Sequence, residues 1–167
     1  EGNLYVVGRH STGFSIQGIS VVPTNGNGGS GIFLLKFSSD GVIDWGIGSQ
    51  TTGTLIPYAG GFTVDVDSNG FVYIGGRVSF GGGSGSMLFG NQSLSMPGLA
   101  LVKISNNGTV IWASSAYTPS NEESLNDIFV DDFGEIFIVG TYYGTLTFNN
   151  GGLCTSNSTD NRYRPFI

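Results

Sequence analysis

Two kinds of stretch alternate along this chain: short runs that are apolar at every position, and connecting stretches dense in Gly, Ser, Thr and Asn. Phe71-Val72-Tyr73-Ile74 and Ile136-Phe137-Ile138-Val139 are continuous apolar runs of strand length, without the alternation of a sheet that wets one face. They predict strands covered on both sides. Asp40-Gly41, Asn69-Gly70 and Asn107-Gly108 lie between apolar runs, a strong short-range hairpin signal that predicts type I′ turns with positive φ at both central residues.

The runs recur. Gly2-Asn3-Leu4-Tyr5-Val6-Val7-Gly8 returns at Gly70 to Gly76 and at Gly134 to Gly140, with the flanking glycines six residues apart and Tyr5, Tyr73 and Phe137 in register. A second block runs from Gly31 through Lys36 and Asp40-Gly41 to Trp45, and returns from Gly98 through Lys103 and Asn107-Gly108 to Trp112, each landmark moving by 67 residues. Between the blocks, Phe14 and Ile19, Phe89 and Leu94, and Phe148 and Leu153 are pairs five residues apart. The spacer before this element varies in length, most at the Gly-rich insertion over residues 81–86, so the variation falls in loops.

Each period reads as four strands in an antiparallel meander. Strand A covers residues 62–66 and 125–130, strand B carries the aromatic, strand C ends in the lysine and strand D carries the tryptophan. Repeated four-stranded antiparallel sheets buried on both faces predict an all-β fold, a β-propeller with sheets packed flank to flank. Gly60 and Gly61 suit a crowded inner edge. Ten strands are expected: a partial blade over residues 1–58 (B-C-D), a complete blade over 59–117 with its following loop (A-B-C-D), and a partial blade over 124–167 (A-B-C). Open edges and apolar end faces lead to the expectation of a longer parent chain or completion by other chains.

The motif of Phe33 to Lys36 with Trp45, together with Val66-Asp67-Ser68-Asn69-Gly70-Phe71-Val72-Tyr73-Ile74-Gly75, resembles the SBBP-type, seven-bladed β-propeller-like repeat. The second copy keeps Lys103, Trp112, Val130-Asp131, Gly134, Phe137 and Gly140, and departs from the pattern at Ala100, where an aromatic is usual. The resemblance covers nearly the whole chain. It implies a propeller fold, secretion or surface display, and a binding or scaffolding role, without fixing a function.

Composition narrows the classes of partner. Six basic against twelve acidic side chains give a net charge of −6, so the basic footprint that holds a phosphate backbone is missing and nucleic acid is not an expected partner. Apolar runs are on the scale of Ile32 to Leu35, far below the roughly 20 residues of a membrane-spanning helix. The single cysteine, Cys154, has no internal partner and reads as a small buried hydrophobe.

Chemistry-bearing patterns are sparse. Asp65, Asp67 and Asn69 match the first half of a calcium loop, but the twelfth position is Gly76 rather than a bidentate Glu, and capping of the turn by its own Asp and Asn accounts for the pattern. Lys36 and Lys103 read as spacing or solvent-facing residues. Trp45 and Trp112 read as packing, with sugar stacking the functional alternative. His10 is the only histidine, Ser11 is merely its neighbour, and no nucleophile-elbow motif accompanies them, so no catalytic residue, cofactor or metal is assigned. Glu122-Glu123 reads as solvation of a polar D–A loop that includes Thr118-Pro119-Ser120-Asn121. Sequons place candidate N-glycosylation at Asn91, Asn107 and Asn157.

The sequence therefore leads to the expectation of a noncatalytic, extracellular or cell-surface scaffold that recognises protein or glycan through its variable B–C and D–A loops. Alternatives are a structural, self-associating subunit of an extracellular filament and a piece of an enzyme whose site lies in other blades.

Overall fold

The computed structural model describes residues 2–21, 29–81, 85–94, 97–117, 123–149, 153–155 and 163–167. Among them every regular element is a strand. In chain order these are β1 (Leu4–His10), β2 (Phe14–Ile16), β3 (Ile19–Val21), β4 (Gly31–Phe37), β5 (Ile43–Gly48), β6 (Gln50–Thr51), β7 (Pro57–Val66), β8 (Val72–Phe80) and β9 (Met87–Phe89). They continue as β10 (Gln92–Leu94), β11 (Gly98–Ile104), β12 (Val110–Tyr117), β13 (Ser124–Val130), β14 (Ile136–Tyr142), β15 (Thr145–Phe148), β16 (Leu153–Thr155) and β17 (Arg164–Phe166).

All pairings are antiparallel. Sheet I has the order β1-β4-β5, sheet II contains β7-β8-β11-β12, and sheet III has the order β13-β14-β17. These ten strands follow the meander that the turns predict; the other seven are short. Among the described residues the sheets close into no barrel and no ring.

The A–B and C–D turns share one geometry, and it is not type I′. In each, the glycine N–H donates to the carbonyl three residues back, as Gly41 to Ser38, Gly70 to Asp67, Gly108 to Ser105 and Gly134 to Asp131. Only the glycine has positive φ, between 80° and 86°, while Asp40, Asn69 and Asn107 do not. The turn is therefore type I followed by a left-handed glycine, the three-residue hairpin with a bulge. A two-residue turn with both central φ positive occurs instead at Gln17-Gly18, between β2 and β3.

The paired Phe and Leu landmarks are small hairpins. β9 and β10 turn at Gly90-Asn91 and are fastened to β6, the two-residue strand just after β5, while β15 and β16 form the next hairpin and are fastened to β12, the D strand of sheet II. Gln50 pairs with Leu88, and one repeat later Tyr117 pairs with Thr147, in the same register. Phe14 stands out of that alignment, since it pairs with Val21 two positions from its turn, whereas Phe89 adjoins its turn opposite Gln92.

The sheets stack face on face. One apolar core, including Ile32 and Leu34 of sheet I with Val72, Ile74, Val102 and Ile104 of sheet II, joins the first two. Tyr73, Leu99 and Leu101 of sheet II meet Leu125, Ile128, Val130 and Ile138 of sheet III in the next. In β8, Val72, Tyr73 and Ile74 are all buried, as a strand covered on both sides requires. In β14 that expectation fails: Ile136 and Ile138 turn toward sheet II, while Phe137 and Val139 are 49% and 38% exposed on the outer face.

The recurrent glycine that ends each B motif faces the ring of an aromatic on strand C. Gly8 pairs with Phe33 and Gly140 with Phe166, and a Cβ at either glycine would come within 2.8 Å and 2.7 Å of the ring. Gly76 pairs with Ala100, so the departure from the aromatic pattern removes the ring at this one position. Gly60 does not sit in a crowded place: a Cβ there would meet nothing within 4 Å.

Candidate recognition surface

The A–B turn of sheet II is built around one carboxylate. Asp67 Oδ1 accepts the N–H groups of Asn69 and Phe71, each at 2.9 Å, and Oδ2 accepts the Tyr73 hydroxyl at 3.0 Å. Asp65 Oδ1 accepts the N–H of Val66, and Oδ2 reaches into sheet III to accept the N–H of Val130 at 2.6 Å. Both carboxylates thus face donors, which suits capping and sheet joining. Among the described residues no group of three or more His, Cys, Asp or Glu side chains could hold a metal ion. Asp131 repeats the cap with Phe133 and Glu135 N–H, but Phe137 has no hydroxyl to complete it.

The C–D turn of sheet II is gripped by sheet I. Lys36 Nζ donates to Asn106 Oδ1 at 2.7 Å and lies 3.3 Å from Asp44 Oδ2; it is buried, not solvent-facing. Trp45 Nε1 donates to the Asn106 carbonyl at 2.8 Å, and the face of its ring lies against Gly108, where a Cβ would come within 3.0 Å. That ring face is occupied and cannot stack on a sugar. Trp112 packs edge-on against Tyr73 with 6.4 Å between centroids, and Lys103 Nζ sits 4.3 Å from the Phe71 ring centre and 4.9 Å from that of Tyr73.

Inside the turns, Ser38 bonds Asp40 and Ser105 bonds Asn107 through their side chains. The Ser38 hydroxyl holds the Asp40 carboxyl below its usual pKa.

Clefts flank Asn106. One of about 560 Å³ lies between the sheets and is lined by Asn3, Tyr5, Asp67, Ser68, Asn69 and Asn106, with Gly2, Val66 and Gly70. A second, about 530 Å³, is lined by Asn69, Phe71, Ser105, Asn106, Asn107, Thr109 and Ile111. The first is walled mainly by polar groups, whereas the exposed lining of the second is largely apolar and includes Phe71 and Ile111. Among the described lining residues the only charged group is Asp67, whose oxygens already accept three donors. Sequence reading missed this rim because Asn106 belongs to no motif; the Asn-rich turns on either side of it were the available signal.

The remaining candidates scatter. Asn91 is exposed at the β9–β10 turn, Asn107 is exposed in the C–D turn, and Asn157 lies outside the described residues. Outside them too are residues 22–28, 82–84, 95–96, 118–122, 150–152 and 156–162, which are parts of the expected B–C and D–A recognition loops. Nothing is described of the Cys154 side chain. Glu123 is not a solvating residue: it is 3% exposed, and its Oε1 lies 3.9 Å from Arg77 Nε across the sheet II–sheet III boundary.

His10 ends β1, buried, with neither ring nitrogen in a well-aligned hydrogen bond and the Phe14 ring edge-on at 6.5 Å. Ser11 is exposed beside it. Burial lowers the imidazole pKa from its usual 6.5, opposed in part by nearby backbone of Thr12 and Ile32. The fold keeps the ring neutral while the unfolded chain takes up a proton at the ordinary value. The stability tied to His10 is therefore complete above the unfolded pKa and is lost as pH falls through 6.5 toward the lowered folded value. A melting temperature that declines between about pH 7 and pH 5 is expected, with His10→Phe flattening that step. An equally steep decline in the variant would assign the effect to other groups.

No protein-family model matches the chain, and no curated protein matches it.

Proposed function

We propose that this chain is a noncatalytic binding scaffold of the extracellular or cell-surface kind, made of β-propeller-type blades that present an amide-lined rim to protein or glycan. The observation that carries the reading is the pair of clefts around Asn106. A polar cleft beside a largely apolar one suits a polyhydroxylated or peptide-like ligand that also has an apolar face, and a rigid sheet scaffold orders them in advance. Strand order, the 67-residue repeat and the sheet-on-sheet cores support blades. The sequons at exposed Asn91 and Asn107 agree with an extracellular setting.

A screen of the chain against broad glycan and cell-surface protein arrays tests the proposal. Binding is expected, with Asn69→Ala or Asn3→Ala weakening it about tenfold, the scale of a contributing interface residue. Absence of any ligand, or binding indifferent to both substitutions, overturns it.

A further inference from the structure

Asn106 lines both clefts, and its side chain is set in one orientation. Lys36 Nζ donates to Oδ1 at 2.7 Å, and Lys36, buried, lies 3.3 Å from Asp44 Oδ2. The Asn106 carbonyl accepts Trp45 Nε1 at 2.8 Å, so backbone and side chain are both anchored to sheet I. An ammonium only donates, and the amide cannot turn over without setting its own NH2 against Lys36. Nδ2, with two N–H donors on an exposed residue, has no partner among the described residues and is the group this wall offers to a ligand.

The clefts on either side of that donor differ in kind. Asn3, Tyr5, Ser68 and Asn69 bring amides and hydroxyls to the first, whereas Phe71 and Ile111 make the exposed lining of the second largely apolar. Ile111 is 44% exposed and is not a demand of the repeat. It is the extra residue of a bulge, since Trp112 pairs with Lys103 and Val110 with Ile104. In sheet I the same irregularity, with Trp45 on Lys36 and Ile43 on Phe37, displays Asp44 instead. Sheet II thus puts an aliphatic side chain on the surface where its counterpart carries a charge, and a bulge aims it into the cleft.

A ligand that uses all three features needs hydroxyls for the polar cleft, a carbonyl oxygen for Asn106 Nδ2 and a small apolar group for Ile111, close together. An acetamido sugar carries that combination on a single ring: hydroxyls, an amide carbonyl and its methyl. Acidic sugars are disfavoured, because Asp67 keeps a negative charge in the wall and the whole chain carries −6.

We propose that the joined clefts bind a neutral N-acetylated sugar, its acetamido carbonyl accepting from Asn106 Nδ2 and its methyl group lying against Ile111. The proposal rests on the reading of the clefts as a recognition surface and narrows it to one class of ligand. Lys36 lines neither cleft and is a positioning residue, holding the amide in the orientation that presents its donors.

Isothermal titration calorimetry of the whole chain tests this with tri-N-acetylchitotriose and with cellotriose, which has hydroxyls in place of the acetamido groups. The protein is produced without N-glycans, because Asn107 lines the second cleft. The acetylated trimer is expected to bind about tenfold or more tightly than cellotriose, the scale of one added hydrogen bond and one buried methyl. Asn106→Ala and Ile111→Ser should each bring that ratio close to one, and the exposed position of Ile111 allows its substitution without change in the circular dichroism spectrum. Lys36→Met should lower the ratio as well, whereas a merely structural loss would weaken both trimers alike. Failure of the acetylated trimer to bind, equal affinity for the two trimers, or a ratio that survives both Asn106→Ala and Ile111→Ser overturns the proposal. An array ligand of another class, a peptide or an unacetylated sugar, whose binding falls in Asn69→Ala would reject the acetamido sugar and leave the scaffold reading in place; no ligand of any class would reject both.

Discussion

Gly98→Ala is expected to destabilise the fold by about 3 kcal/mol or more, read as a fall in the urea midpoint. Gly98 opens β11 with φ +141°, and a Cβ there would lie 2.0 Å from the Ala116 carbonyl oxygen and 3.1 Å from the Tyr117 Cα. Both obstacles are backbone of the partner strand β12, which cannot yield without breaking the β11–β12 ladder that runs from Leu99–Ala116 onward. Gly60→Ala is the control. It lies in a strand of ordinary φ with open space at the Cβ, so it should change stability little or raise it slightly through the unfolded chain. Equal effects of the two substitutions would remove close backbone approach as the reason for Gly98.

Asp67→Ala is the second large effect, about 3 kcal/mol. The substitution deletes a charged acceptor of three hydrogen bonds and strands the Tyr73 hydroxyl, 1% exposed at the residue level, together with two turn N–H groups. Asp131→Ala should cost clearly less, because that cap holds only two backbone donors in an exposed turn. The same experiment separates capping from cation binding: thermal melting in millimolar calcium and in chelator should coincide. A calcium-dependent rise that disappears in Asp67→Ala would assign cation binding to the Asp65–Asp67–Asn69 loop.

The all-β character and strand order were legible because register leaves a strong trace: a strand covered on both sides must be apolar throughout, and the turn between strands needs a glycine at one place. Gly41, Gly70, Gly108 and Gly134 show this, each left-handed at the same turn position. The turn type was not legible, since an Asx-Gly pair serves both a two-residue turn and the longer turn with a bulge. The choice depends on whether the serine or aspartate two residues earlier captures the backbone, as Ser105 and Asp67 do. The straps between sheets were hidden for another reason. β6 has two residues and β9 has three, lengths at which apolar periodicity carries almost no information. Long-range polar contacts escaped altogether: Lys36 finds Asn106 seventy residues away, and no local pattern encodes that partner. Glu123 was misread because a charged residue in a polar stretch gives no sign that Arg77 will lie beside it.

The straps from two of the small hairpins back to the preceding period, Leu88 on Gln50 of β6 and Thr147 on Tyr117 of β12, have a consequence for how such a chain can be lengthened or shortened over generations. A tandem duplication of one period carries both the hook and the strand it hooks, so the inserted copy meets its neighbours with contacts already selected at the other junctions. Gain or loss of whole periods then becomes a tolerated kind of genetic change, while an insertion out of phase with the period would leave a hook without its strand.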